Sequence, residues 1–293
     1  MPAPFDGPVT FADVQARIEA VDLGESPDEM RAAFARLMRG DDAGEPVPDA
    51  ATETWGGVDA LRLGEADGNE VAVWFHGGGY VFGRPETHAR PAAAFAQALG
   101  VPVVLPRYRL APEHPWPAQR DDALAAVRAL QDAGRRVVLA GDSAGGHLAL
   151  VTALTLAGEG RPVGALALFS PNTDRTGLSG TRQANTPRDA MNADDDDRQL
   201  AEMTFRDRPN DDPEVSPLLA DLGRLPRTHV EVGGREVLLG DALRLAERAC
   251  AAGADLSLHL TAGAFHMWQL WTPWLPAADA SIRRAAAALA GRH

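Results

Sequence analysis

Gly141-Asp142-Ser143-Ala144-Gly145 sets a serine in a G-x-S-x-G frame. A serine hydroxyl is a weak nucleophile until a base takes its proton, and it is most accessible at the tip of a tight turn. Small flanking residues permit that turn, because the backbone before and after it must pass closely. Residues 137–140 form an apolar run suited to a buried strand, and 148–154 suit the helix that follows. The result is a hydroxyl at the edge of a sheet, beside the positive end of a helix. Short Gly/Ser motifs also mark ordinary tight turns, so the rest of the chain has to supply the partners.

An activated serine needs a base, an acid to orient the base, and donors for the developing oxyanion. Where such an elbow is catalytic, the acid and then the histidine follow it along the chain. His266, in Ala264-Phe265-His266-Met267-Trp268, lies on a loop after the last expected strand and is the candidate base. His76 and His88 precede the serine, His147 falls in the elbow helix, and His259 is inside a strand. Glu236, in Gly233-Gly234-Arg235-Glu236-Val237-Leu238, lies just past a strand end and is the candidate acid. Asp241 is the runner-up, although an acidic residue at a helix start has an ordinary explanation in the helix dipole. His76-Gly77-Gly78-Gly79 ends another strand, and the N–H groups of Gly78, Gly79 and Ala144 are the candidate oxyanion donors. No Gly-Lys-Ser/Thr follows the glycine run, and it leads into Tyr80-Val81-Phe82 rather than a helix start. A Walker phosphate loop is thereby excluded, and a dinucleotide fingerprint fits poorly.

These residues need a framework, and the pattern supplies one. Strands are expected at 58–63, 71–75, 101–105, 137–140, 163–169, 228–232 and 255–260. Helices are expected at 91–99, 119–132, after Ser143, at 240–252 and at 277–289. Strand–helix alternation of this kind predicts a mainly parallel sheet with helices on both faces. Residues 10–38 precede any strand and read as amphipathic helices broken at Ser26-Pro27. Residues 173–212 are polar and interrupt the alternation, with a helix expected from Asp194 to about Phe205. The domain reading is 1–48 as N-terminal cap helices, 49–172 and 213–293 as the catalytic domain, and 173–212 as a cap insertion. The Asp194-Asp195-Asp196-Asp197 run suits a solvated helix start, since a calcium loop would need spaced ligands and a turn glycine.

With 293 residues the chain can bury a substantial core, and its net charge of -13 disfavours nucleic acid or an anionic membrane as partner. Cys250 is the single cysteine, which excludes an internal disulfide and a multi-cysteine metal site. A packed thiol is expected for it within a helical pattern. The N-terminus shows no basic and apolar leader, so no signal peptide or membrane anchor is read and a cytoplasmic protein is expected.

His76-Gly77-Gly78-Gly79-Tyr80, Tyr108-Arg109-Leu110-Ala111-Pro112-Glu113 and Gly141-Asp142-Ser143-Ala144-Gly145-Gly146 together resemble the hormone-sensitive-lipase-like α/β-hydrolases. Ser216-Pro217-Leu218 and Glu236-Val237-Leu238-Leu239 resemble the bacterial acetyl-hydrolase and lactone-hydrolase branch, where the acid can be Glu. The resemblance runs from about Asp59 to Trp268 and implies an α/β-hydrolase fold with a helical cap. It implies a serine hydrolase of short-acyl esters or lactones, with a small-molecule ester as partner and neither metal nor organic cofactor. An amidase with the same triad is the nearest alternative, and a catalytically silent ligand-binding member is a more distant one. Tyr80, Met191, Phe205 and Trp268 are candidates to meet substrate, with core or cap packing as the alternative for each. The 108–118 segment is expected to brace the oxyanion loop with Arg109 and Glu113 paired to each other, and Asp142 to tune or pack the elbow. Homo-oligomerisation stays open.

Overall fold

The computed structural model describes residues 5–65 and 68–290. The chain opens with α1 (Phe11–Glu19) and α2 (Pro27–Arg39), each started by a capping box. Thr10 and Asp13 exchange bonds in the first, Ser26 and Glu29 in the second, and Pro27 takes a position that needs no N–H. The Ser26-Pro27 break is thus a helix start as much as a stop.

The hairpin of β1 (Ala51–Trp55) and β2 (Val58–Leu63) follows. Then come β3 (Glu70–Phe75), α3 (Pro85–Leu99), β4 (Val103–Pro106), α4 (Ala118–Asp132), β5 (Arg136–Asp142), α5 (Ala144–Gly158) and β6 (Ala165–Phe169). A short α6 (Thr181–Asn185) and α7 (Asp194–Phe205) precede β7 (Thr228–Gly233), α8 (Leu239–Ala251), β8 (Leu256–Thr261) and α9 (Pro276–Leu289). The sheet order is β1-β2-β4-β3-β5-β6-β7-β8. Strands β3 to β8 run parallel, and the β1–β2 hairpin joins β4 antiparallel at one edge. This is an α/β-hydrolase fold.

Period-two alternation decides what each face of the sheet packs against. Val71, Val73, Leu139, Leu166 and Val230 face one core with Leu124, Val127, Leu148 and Leu245 of the flanking helices. Ala72, Trp74, Ala140, Ala167 and Phe169 face the other, with Phe95 of α3 and Ile282 of α9. Helix α5 is apolar nearly all round and is buried for most of its length, as a helix in the middle of a layered core must be. A third core holds Val14 of α1 and Phe34, Leu37 and Met38 of α2 against Phe265, Trp268 and Trp271. Arg31 fastens α2 further, donating to Glu113 at 2.7 Å and to the Val81 and Ala111 carbonyls.

Several elements depart from expectation. Strand β1 was not expected, because Thr52, Glu53 and Thr54 are polar and an edge strand buries only half of itself. Pro91 lies inside α3 rather than at its start, since Pro85 occupies the first turn. Cys250 is exposed, not packed: the buried stripe of α8 runs through Asp241, Ala242, Leu245 and Ala249, and Cys250 falls just off it. No described helix is long and apolar enough to cross a membrane.

Trp74 joins the core to the site. Its ring stacks on Phe169 at 5.0 Å, and its Nε1–H donates to Asp142 Oδ1 at 2.9 Å. Trp74→Phe keeps most of the stack and removes the donor, so it should cost about 1–3 kcal/mol of unfolding free energy. Urea unfolding measures this, and an unchanged midpoint and slope would contradict the role assigned to the indole N–H.

Candidate active site

Strand β5 passes into α5 with only Ser143 between them. Ser143 sits at φ 53° and ψ -122°, a conformation that a non-glycine residue holds only when its surroundings over-determine it, at a cost of order 1–3 kcal/mol. Its N–H donates to the Phe169 carbonyl at 2.9 Å, and its own carbonyl accepts from His147 and Asn172. Gly145 makes the turn sterically feasible: a Cβ there would run into the Phe75 and His76 carbonyls at the end of β3. The chain therefore presents the serine with both neighbouring elements pressed beneath it.

Three distant segments then meet. Ser143 Oγ donates to His266 Nε2 at 2.8 Å, and His266 Nδ1–H donates to Glu236 Oε2 at 3.1 Å. The other carboxylate oxygen, Oε1, accepts from Ser170 Oγ at 2.8 Å and from the Gly233 N–H. One oxygen is thus held by fixed donors while the other is left to the imidazole. Ser143 is 7% exposed and His266 2%, and Glu236 is wholly buried. Burial pushes the Glu236 carboxyl up to about 7, against the pull of the His266 hydrogen bond. Burial also works against an imidazolium at His266, but the hydrogen bond and charge of Glu236 outweigh it and raise the histidine above its ordinary value. The pair readily takes up one proton, which is what it must do when Ser143 gives its own away.

The glycine loop leaves β3 beside this chain. Gly78, Gly79 and Tyr80 lie at φ 115°, 59° and 66°. At Gly78 a Cβ would collide with the Phe82 carbonyl, so only glycine closes the turn in which Val81 and Phe82 both donate to Gly78 O. Among the described residues no protein atom accepts from the Gly78 or Gly79 N–H. Ala144 opens α5, so its N–H has no carbonyl one turn back to bond. Three backbone donors are therefore available around Ser143.

The loop is held from behind. Asp142 is buried and accepts from the Gly77 N–H at 3.2 Å, from Trp74 and from His88 Nε2 at 3.1 Å. Burial opposes its charge, but His88 and Trp74 more than compensate, and its carboxyl is held below the usual range. Asp142 touches none of Ser143, Glu236 and His266 through these bonds; it ties the elbow to the oxyanion loop. Tyr108 stacks on His76 at 4.3 Å and donates to the His76 carbonyl at 2.6 Å, so the 108–118 segment does brace the loop. The expected Arg109–Glu113 pair does not form. Arg109 turns to Asp122 on α4, which also accepts from its backbone N–H, and Glu113 reaches out to Arg31 on α2.

Asp241 stands apart from the histidine. It accepts from Arg182 at 2.7 Å and from the Thr173 and Asp174 N–H groups, clamping the chain just after β6. Arg182 in turn bonds Asp197 and Asn172. Of the four side chains considered for substrate contact, Tyr80 donates to His147 Nδ1 at 2.6 Å and packs edge-on against Phe205. Phe205 also packs on Trp116 and lies under the Arg175 guanidinium, and Trp268 is fully buried in the third core. Met191 is half-buried against that same core. Leu200 was not anticipated: a Cβ on Gly79 would lie 2.5 Å from its Cδ1, so α7 packs directly against that glycine. Thr204 of the same helix donates to the Gly79 carbonyl at 3.2 Å. Ser170 was also missed, and its position directly after β6, at the sheet edge that bears Ser143, was the available signal. A cavity of about 840 Å³ lies behind the loop against His76, Tyr108 and Arg31, and none of Ser143, Glu236 and His266 lines it.

Known proteins place this geometry. Residues 72–270 match the family described as alpha/beta hydrolase fold. The chain is 33% identical over 266 residues to an acetyl-hydrolase of Streptomyces hygroscopicus, covering 89% of this chain and 87% of that protein. It is 34% identical over 248 residues to the esterase LipU of Mycobacterium tuberculosis, covering 81% and 82% of the two chains. Among solved structures, an esterase from the bacterial hormone-sensitive lipase family superposes with a TM-score of 0.88 at 33% identity, covering 95% of this chain and 96% of that one. A hormone-sensitive lipase from a metagenome library gives 0.87 at 31% identity, covering 97% and 99%. The chain belongs to the α/β-hydrolase fold family, in its hormone-sensitive-lipase-like branch.

Proposed function

We propose that the protein hydrolyses short-acyl carboxylic esters or lactones through an acyl-enzyme on Ser143. The observation that carries this reading is the unbroken chain from Ser143 Oγ through His266 to Glu236, set beside three unengaged backbone N–H groups. His266 Nε2 takes the serine proton as Oγ attacks the acyl carbonyl. Glu236 holds the Nδ1–H tautomer and stabilises the imidazolium that forms. The N–H groups of Gly78, Gly79 and Ala144 receive the oxyanion of the tetrahedral intermediate. His266 then hands the proton to the departing alcohol, and a water activated by the same imidazole releases the acid.

Preference for a short acyl chain is supported by α7, whose Leu200 and Thr204 lie against Gly79. A relative named acetyl-hydrolase agrees with a small acyl group. Residues 1–48, of which those before residue 5 lie outside the described residues, and 173–212 would then serve as the cap, with α1 and α2 of the first in the third core and α7 of the second against Gly79. An amidase would use the same groups, and paired rates on an ester and its matching amide separate the two.

The direct test is p-nitrophenyl acetate hydrolysis, followed along an acyl series from acetate to decanoate. Ser143→Ala should lose about 10⁴-fold or more in kcat, and wild-type kcat/KM should fall with chain length. Equal rates for wild type and Ser143→Ala would sink the reading. The acid is tested by one variant at each candidate carboxylate. Glu236→Gln should lose about 10³–10⁴-fold in kcat while staying folded, since it disrupts the tautomer rather than the core. Asp241→Ala should instead lose about 3–5 kcal/mol of stability by leaving Arg182 partly unpaired in the interior. The opposite pattern would transfer the acid's role to Asp241.

A further inference from the structure

Asp189 lies between α6 and α7, in the segment that breaks the strand–helix alternation, and it is bonded to His266 and to the residue that follows Glu236. Its Oδ1 accepts from the backbone N–H of His266 at 3.0 Å and from that of Met191 at 3.1 Å. Its Oδ2 accepts from the N–H of Val237, the residue after Glu236, at 3.0 Å. Asn185, one turn earlier and buried, donates to the Glu236 carbonyl at 2.7 Å and is itself held by Arg188. The peptide group between Glu236 and Val237, held through both its oxygen and its nitrogen, and the one before His266 are therefore fixed from a single segment outside the sheet. The loops after β7 and β8 are also joined near their starts, where the Gly234 N–H donates to the Thr261 carbonyl and the Arg235 N–H to the Ala264 carbonyl, but next to Glu236 and His266 themselves that segment adds to the His266–Glu236 hydrogen bond.

We propose that Asp189 is a positioning residue for the triad, joining the acid loop to the base loop through its two carboxylate oxygens. The inference rests on the reading of Ser143, His266 and Glu236 as a triad. A carboxylate suits the task because three converging N–H groups need an acceptor with lone pairs to spare, and an ionised one bonds them more strongly than an amide. Its charge has a second effect. The acidic groups facing His266 are Glu236 from the loop after β7, Asp189 from the 173–212 segment and Asp197 from α7, and all three favour the imidazolium. Asp189 thus fixes the geometry of the base and contributes to its proton affinity. It also makes the triad depend on how the 173–212 segment is seated, since Asp189 moves with that segment.

Asp189→Asn, Asp189→Glu and Asn185→Ala are compared with wild type by steady-state kinetics on p-nitrophenyl acetate from pH 5 to 9. Wild-type kcat/KM should fall on the acid side through a limb above the ordinary histidine value of 6.5, because His266 must be neutral to act and its affinity for a proton is raised. Asp189→Asn loses a charge and turns an N–H against an N–H. It should lower kcat about 10- to 100-fold, leave KM nearly unchanged and move the limb to lower pH. Asp189→Glu keeps the charge and should hold the limb near the wild-type position while kcat is reduced. Asn185→Ala should reduce kcat without moving the limb, and it decides the matter if the Asp189 variants do not fold. Wild-type kcat and limb in a folded Asp189→Asn, or in Asn185→Ala wild-type kcat where no Asp189 variant folds, overturns the proposal. Activity that survives Ser143→Ala would overturn the reading beneath it, and the two failures cannot be confused.

Discussion

The backbone strain at Ser143 is the constraint on which the rest depends. A non-glycine residue at φ 53° and ψ -122° would relax unless its neighbours prevented it. They do so in three ways: β5 is hydrogen-bonded on both sides, α5 is buried almost completely, and Gly145 lets that helix press against the end of β3. The same close approach puts the Ala144 N–H beside the glycine loop that leaves β3. The conformation of Ser143 and the path of the glycine loop are therefore consequences of one packing arrangement, and Asp142, next to Ser143, bonds the Gly77 N–H of that loop.

Buried carboxylates divide the work by their partners rather than by their type. Asp142 meets His88, Trp74 and a loop N–H, and it stays charged as a brace. Asp241 meets Arg182 and two N–H groups, and it clamps the chain after β6. Glu236 meets a histidine, a serine and one N–H, and no arginine is among these partners. Burial pushes the Glu236 carboxyl up to about 7 and that of Asp241 up to about 6, so what sets Glu236 apart is its bond from His266 Nδ1. Environment, more than sequence position, separates a triad acid from a structural one.

The parallel sheet was legible because its strands are covered on both faces and read as continuous apolar runs, as in Val71-Ala72-Val73-Trp74-Phe75. Ser143, His266, Glu236 and the glycine loop could be picked out as candidates because each lies in the connection that follows a strand, and the fold brings the first three into one hydrogen-bonded chain. What did not show was whatever depends on side chains meeting across long separations. Arg109 and Glu113 are four residues apart and seemed a natural pair, yet each is claimed by a different helix. Strand β1 has the alternation of an edge and no apolar run to announce it. Asp189 and Leu200 sit in a polar stretch with no motif, and only the folded segment brings one to the triad loops and the other over Gly79.

The central claim is that one activated hydroxyl, that of Ser143, carries the reaction. Treatment with a fluorophosphonate, followed by intact mass and peptide mapping alongside residual esterase activity, tests it most directly. A single adduct on Ser143, with activity lost in proportion to labelling, is the predicted result. An adduct on another residue, or full turnover by protein labelled at Ser143, would contradict the account.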